Sequence, residues 1–152
     1  MLNIVAKFRG FAKEENRWVY GAYVKQVDAF NEVHHYIVHT SPHPLAEDTV
    51  QFTYIEIEEK SLGQYIEGKD QHGTPIYTGD ILHSREDEYK ESNLIGVVSF
   101  NEADRAFELL VKPGEYQDIW DNGPVKDTSV LGNTFEHLQL ITDKGFTEKN
   151  ID

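Results

Sequence analysis

The feature that most limits the fold of this chain is the shortness of its apolar runs and the frequency of the turns between them. Stretches rich in Val, Ile, Tyr, Phe, Trp and Thr alternate with Gly, Pro, Asn and Asp. No window of about twelve residues keeps a helical period, so the helices of a parallel βαβ fold are missing. We therefore predict an all-β fold in which short antiparallel strands form barrel-like or sandwich subdomains.

Two hairpins and one irregular strand are predicted. Residues 17–27 should pair with residues 35–40, and residues 94–100 with residues 107–111, because each pair of β-prone runs flanks a short polar connection. In residues 50–58 the apolar side chains change face. Val50, Phe52 and Tyr54 alternate on one side, and Ile55 and Ile57 follow on the other. Such a change of phase predicts a bulge or a bend.

The middle of the chain, residues 62–82, is predicted to form a strand, a turn and a second strand. His72 and Gly73 supply the positive φ angle that a tight turn needs, and Asp70 and Asp80 should cap turns through their carboxylates. Residues 84–92 carry many charges and no aliphatic side chain, which is typical of a solvated loop.

The domain prediction is a single β domain over residues 1–141, with the alternative of two subdomains over residues 1–61 and 62–141. No linker separates two independent cores. Residues 142–152 are expected to fray as a C-terminal tail.

Five short blocks occur in order along the chain: residues 7–10 (KFRG), 18–21 (WVYG), 62–82 (LGQYIEGKDQHGTPIYTGDIL), 96–100 (GVVSF) and 131–133 (LGN). Together they resemble the YopX family of phage and prophage proteins. Where the family usually has Thr-Gly-Leu after a Gln-Tyr pair, this chain has Ile66, Glu67 and Gly68, so the glycine is displaced by one position. The resemblance implies a predominantly β fold, a phage or prophage origin and no established activity, and it transfers no catalytic residue.

Charge and composition exclude several classes of function. The chain has 14 basic and 27 acidic side chains, a net charge of −13. A field of this sign repels phosphate backbones, so direct nucleic-acid binding is not expected. The absence of cysteine excludes disulfides, thiolate metal sites and a cysteine nucleophile. No apolar run approaches the roughly 18 residues that span a bilayer, and no signal peptide is recognisable. We expect a cytoplasmic protein without a cofactor.

Histidines give one metal hypothesis. His34 stands next to a series in which His35, His39 and His43 recur every fourth residue, the spacing of ligands on one helical face. The β-branched residues and prolines between them favour an extended segment instead. His35, His39 and His43 are therefore candidate metal ligands only if that segment brings them together.

A second hypothesis, a metal-dependent enzyme of nuclease type, would use Asp48, Glu58 and Lys60. Paired carboxylates can hold Mg²⁺ while a lysine steadies the attacking water. The pattern is short, and the αβ core in which it usually occurs is absent. We therefore favour a non-enzymatic role.

Aromatic residues give the remaining prediction. Their number exceeds what one strand face can bury, and acidic neighbours could surround an exposed apolar patch of the kind found in protein interfaces. The candidates are Trp18, Tyr20, Tyr23, Tyr116 and Trp120. The sequence thus favours an accessory protein that acts by protein–protein contact, with a second copy of itself or with a host protein.

Overall fold

The computed structural model describes residues 5–85, 93–118 and 127–151. The chain divides into two compact units, Met1–Tyr65 and Ile66–Asp152. The boundary suggested by the sequence, between residues 61 and 62, lies close to this division. The predicted loop at residues 84–92 is wrong at Ser84 and Arg85, which end the strand Asp80–Arg85. Its residues 86–92 and the candidate Trp120 lie outside the described residues.

The predicted all-β class is confirmed. In the described part of the chain, two antiparallel sheets of six and five strands are present, and neither closes into a barrel. The first sheet has the order β4-β3-β2-β1-β5-β6, with β1 at Phe8–Ala12, β2 at Arg17–Val27, β3 at Val33–His43, β4 at Ala46–Glu56, β5 at Gly63–Lys69 and β6 at Pro75–Tyr77. The second has the order β10-β9-β8-β7-β11, with β7 at Asp80–Arg85, β8 at Asn93–Asn101, β9 at Ala106–Lys112, β10 at Glu115–Asp118 and β11 at Thr128–Asn133. Short 3₁₀ turns lie at Glu59–Ser61, Leu138–Leu140 and Thr142–Lys144.

Both predicted hairpins are confirmed by the strand pairing. β2 pairs with β3, and β8 pairs with β9. In the first unit, alternation along β1 to β4 turns one face of the sheet inward. This inner face carries a core of Ala12, Val19, Ile37, Ile55 and Ile57.

Close packing in this hairpin depends on Gly21. A Cβ added there would lie 2.2 Å from the carbonyl oxygen of Val38, which belongs to the neighbouring strand. Real Cβ atoms do not approach backbone this closely, so the two strands could not keep their separation.

Of the bulge or bend predicted within residues 50–58, the bulge is wrong. The ladder between β3 and β4 runs without interruption from Tyr36 opposite Glu56 to Pro42 opposite Val50, and its register shifts only at the hairpin end, between Pro42 and His43. The apolar residues change face for another reason. Ile55 belongs to the buried inner face, whereas Val50 lies on the opposite, exposed face.

The second unit has two clusters of buried side chains. One contains Ile66, Ile76, Leu82, Val98, Leu109 and Val111, and the other contains Ile81, Val97, Leu110, Ile141 and Phe146. Phe146 is 1% exposed. The expected fraying after residue 142 is therefore wrong at this position, because burying a large aromatic side chain offsets the entropy of ordering the segment.

The turn of the middle segment is built around Asp70. Its Oδ1 accepts the N–H groups of His72 and Thr74 at 2.8 and 2.9 Å, and its Oδ2 accepts the N–H of Val130 in β11 at 3.0 Å. Gly73 has the predicted positive φ, 80°. The predicted cap is thus confirmed, and it also fixes the turn to a strand about sixty residues later.

One residue of this segment is strained. Glu67 in β5 has φ of 62°, the left-handed region that L residues other than Asn and Asp seldom adopt. This is the position at which the resemblance described above leads one to expect glycine. The left-handed conformation lies at residue 67, whereas Gly68 has no positive φ.

Candidate functional site

The outer face of the first unit carries a row of aromatic side chains. Phe11 and Trp18 lie edge to face at 5.6 Å in β1 and β2, and Tyr36 and Tyr54 do the same at 6.4 Å in β3 and β4. The guanidinium of Arg9 lies over the Trp18 ring, 4.9 Å from its centre. We call this set, together with Tyr20 and Phe52, the outer aromatic face.

Strand β4 is the most exposed part of this face. The exposed fractions of Val50, Phe52 and Tyr54 are 59%, 63% and 56%. These three side chains alternate along one side of the strand, so they form a single apolar ridge. Contiguous exposed apolar surface of this kind marks interaction sites in proteins.

The backbone of β4 is open as well. β4 is the terminal strand of its sheet in the described part of the chain, so only one of its two edges is paired. Between Asp48 and Glu56 it runs TVQFTYI, with no charge and no proline. Natural edge strands usually carry such residues to prevent pairing with another chain. The middle of β4 therefore offers both unpaired backbone groups and an apolar ridge.

A cleft of about 490 Å³ lies beside the C-terminal half of β4. Tyr36 and Tyr54 supply its aromatic surface, and the β1–β2 turn supplies Lys13 and Glu14. Its acidic residues are Glu14, Glu15, Glu56 and Glu58. Lys13 is its one cationic side chain, and it pairs with Glu58 at 3.6 Å while 82% exposed. The cleft is thus aromatic and strongly acidic.

Next to the cleft, His34 links two carboxylates. Its Nδ1 contacts Oε1 of Glu56 at 2.8 Å and its Nε2 contacts Oδ2 of Asp28 at 3.0 Å. The hydrogen bond to Glu56, followed by that to Asp28, raises the pKa of His34 to about 8. The same contact lowers the pKa of Asp28. His34 therefore carries positive charge at neutral pH and neutralises part of this acidic region.

Asp28, Glu32 and His34 also have ligand atoms within 4.8 Å of one another, close enough to surround a metal ion. However, Oδ1 of Asp28 already accepts the N–H groups of Phe30 and Glu32, at 2.8 and 2.9 Å. These bonds account for the arrangement as a loop cap.

Comparison with known proteins decides the family. The model of the family described as YopX protein matches residues 7–142. The chain belongs to the YopX family. No curated protein matches the chain. Among solved structures, that of protein EF1440 from Enterococcus faecalis is similar, with a TM-score of 0.52 and 20% sequence identity over 91% of this chain and 99% of that one. At this identity the likeness supports the fold.

The three histidines predicted as metal ligands lie in β3 of this YopX-family chain. Four residues of extended strand span about 13 Å, so His35, His39 and His43 are spread along the strand instead of surrounding one point. His35 stacks on Tyr23 and its Nδ1 lies 2.7 Å from the tyrosine hydroxyl. His43 accepts the N–H of Leu45 in the hairpin turn. The structure does not bring the three together.

The predicted nuclease group is separated in the same way. Asp48 is at the start of β4, whereas Glu58 and Lys60 follow its end, and the strand between them spans roughly 25 Å. Glu58 forms an ion pair with Lys13 instead.

Among the predicted surface aromatics, Trp18 and Tyr20 belong to the outer aromatic face, whereas Tyr23 packs against the inner core. Tyr116 lies in β10 of the other sheet. Sequence reasoning missed Phe52 and Tyr54. The sequence contained a signal for them, because Phe52 and Tyr54 alternate on the opposite side of the strand from Ile55, as residues of an apolar ridge outside the core do.

Proposed function

We propose that this YopX-family protein is a phage or prophage accessory protein that acts in the cytoplasm by binding another protein along the open edge of β4. The observation that carries the proposal is the coincidence of an unpaired strand edge with the ridge of Val50, Phe52 and Tyr54. A partner strand added to this edge would gain backbone hydrogen bonds, and its side chains would cover the ridge.

The energy available is large for one contact. The residue Phe52 is 63% exposed and offers about 130 Å² for burial, worth up to about 3 kcal/mol at 25 cal/mol per Å². A contact of this size at the centre of an interface is a binding hot spot. The enzyme alternative has less support, since Asp48 and Glu58 lie at opposite ends of the strand.

A second candidate, self-association, is favoured by one property of β4. In an antiparallel pairing of two copies centred on Gln51, Val50 of each strand lies opposite Phe52 of the other, and each acidic residue lies opposite an uncharged one: Glu47 opposite Ile55, Asp48 opposite Tyr54 and Glu56 opposite Ala46. Cross-strand repulsion between carboxylates is thereby avoided.

Site-specific photo-crosslinking tests the proposal. A photoreactive phenylalanine analogue is placed at Phe52 and, as a matched control, at Phe100, which is 45% exposed in the inner strand β8. We expect a discrete adduct from position 52 only, formed during production of the protein in a bacterial host. An adduct pattern that is the same at both positions, or none at position 52, would refute binding at β4.

Salt separates the two candidates. Two copies that each carry −13 repel one another, so self-association at β4 should strengthen as salt screens the repulsion. Binding of a basic partner should weaken under the same change. Sedimentation velocity of the wild type and of Phe52→Thr at low and high salt shows whether association strengthens or weakens as salt is added.

A further inference from the structure

We propose that the acidic cleft between the β1–β2 turn and β4 binds an arginine side chain of the partner protein. This proposal rests on the proposed function, because it names the residue that a strand added to β4 would insert beside the ridge. The cleft belongs to the first unit alone.

The first argument is the chemistry of the cleft surface. Tyr36 and Tyr54 lie edge to face, at an interplanar angle of 82°, so the two ring planes are nearly perpendicular. Aromatic faces attract cations, and the planar guanidinium also stacks on them. An anionic side chain would be repelled by the glutamates that line the cleft beside these two tyrosines.

The second argument is charge. Four glutamates and one lysine line the cleft. Glu15 pairs with Arg17, Glu56 with His34, and Glu58 with the exposed Lys13. Glu14 makes no hydrogen bond or ion pair with any other described residue. A guanidinium would provide the cationic partner that Glu14 lacks among the described residues, and Lys13 is no obstacle because exposed ion pairs are weak and readily exchanged.

The third argument is a contact that already exists on the same face. Arg9 places its guanidinium 4.9 Å from the centre of the Trp18 ring. The outer aromatic face thus holds one arginine of its own chain on an aromatic ring, and the cleft offers two further aromatic rings, those of Tyr36 and Tyr54, beside carboxylates. Arginine suits the site better than lysine, because its five donors can reach two carboxylates at once.

The test uses two short acetylated and amidated peptides of alternating valine and threonine. One has a central arginine, and the other has citrulline, which keeps the shape and removes the charge. Binding is followed by the ring resonances of Tyr36 and Tyr54. We expect the arginine peptide to shift both rings and to bind about tenfold more tightly than the citrulline peptide.

Variants locate the effect. Glu14→Gln combined with Glu58→Gln should weaken binding of the arginine peptide roughly tenfold. Tyr54→Leu should weaken it about threefold to fivefold. The matched controls, Glu102→Gln with Glu115→Gln and Tyr116→Leu, change the same chemistry in the second unit and should leave binding unchanged.

Equal binding of the two peptides would overturn the inference, as would losses of peptide affinity in the control variants equal to those in the cleft variants. It would also be overturned if raising the protein concentration without peptide gave the same tyrosine shifts, because the cleft would then bind a second copy of the chain. The proposed function is tested separately by the adduct at position 52. An adduct there combined with equal binding of arginine and citrulline peptides would retain binding at β4 and reject the arginine site.

Discussion

Replacing Asp70 by asparagine measures how far the second unit depends on one carboxylate. Asparagine keeps an acceptor oxygen for the N–H groups of His72 and Thr74, which lie 2.8 and 2.9 Å from Oδ1. Its NH₂ group, however, replaces the oxygen that accepts the N–H of Val130 at 3.0 Å. The variant loses one charge-assisted bond and leaves two donors facing each other. Such a loss costs about 2 kcal/mol of unfolding free energy.

Asp70→Ala removes all three acceptor contacts, and we expect it to cost about 4 kcal/mol. The assay is equilibrium unfolding in urea at pH 7, with Asp143→Asn as the control, because Asp143 is exposed in a 3₁₀ turn. A loss below about 0.5 kcal/mol for Asp70→Asn, the range of ordinary surface changes, would refute the reasoning. A loss in Asp143→Asn equal to that in Asp70→Asn would refute it as well.

The pH dependence gives a second readout of the same carboxylate. Burial acts to raise the pKa of Asp70, but the N–H groups of Val130, Thr74 and His72 together hold it below the usual range. A group with a lowered folded pKa stabilises the protein fully above the unfolded pKa, about 4, and loses this contribution as the pH falls through the folded pKa. Between pH 5 and acid unfolding, the wild type should therefore lose more stability than Asp70→Asn.

Three further predictions concern the first unit and β5. Glu67→Gly should stabilise the protein by about 1 kcal/mol in urea unfolding, because glycine adopts a φ of 62° without strain; a destabilised variant would contradict this. His34 should titrate near pH 8 by NMR, and because its pKa is raised, its contribution to stability is present below about pH 6.5 and lost as the pH rises through 8. Glu56→Gln should lower the pKa of His34 toward 6.5, and an unchanged titration midpoint would exclude Glu56 as the cause of the raised pKa. Gly21→Ala should lower the free energy of unfolding by at least about 2 kcal/mol, since its Cβ would meet the Val38 carbonyl. A variant that is as thermally stable as the wild type would show that β2 and β3 can move apart without cost.

The parts of the fold that the sequence predicted are those governed by local rules. Alternation of apolar residues and turn chemistry act over a few neighbours, so the β2–β3 hairpin and the turn at Asp70 and Gly73 were predictable. The hydrogen bond from the Val130 N–H to Asp70 was not predictable, because it joins positions about sixty residues apart in the chain. Likewise, no local rule shows that Phe146 enters a core formed by strands that precede it.

The candidate site shows the same limit. The change of face of the apolar residues in β4 was visible in the sequence, but the same sequence is compatible with a bulge and with an exposed ridge. Only the position of β4 at the end of the sheet distinguishes these two structures. The histidines were misleading because a spacing of four places ligands together on a helix and about 13 Å apart on a strand. The cleft was hidden, since Glu14 and Tyr54 meet there from separate strand pairs.

The burial of Phe146 has a consequence for the order in which the protein folds during synthesis. The first unit contains all five residues of its buried core by Ile57, so it can fold while the ribosome is still translating the second unit. The second unit cannot complete its core until Phe146 has left the ribosome. A first unit that folds in that interval would present the ridge on β4 to a partner strand before the rest of the chain has been made.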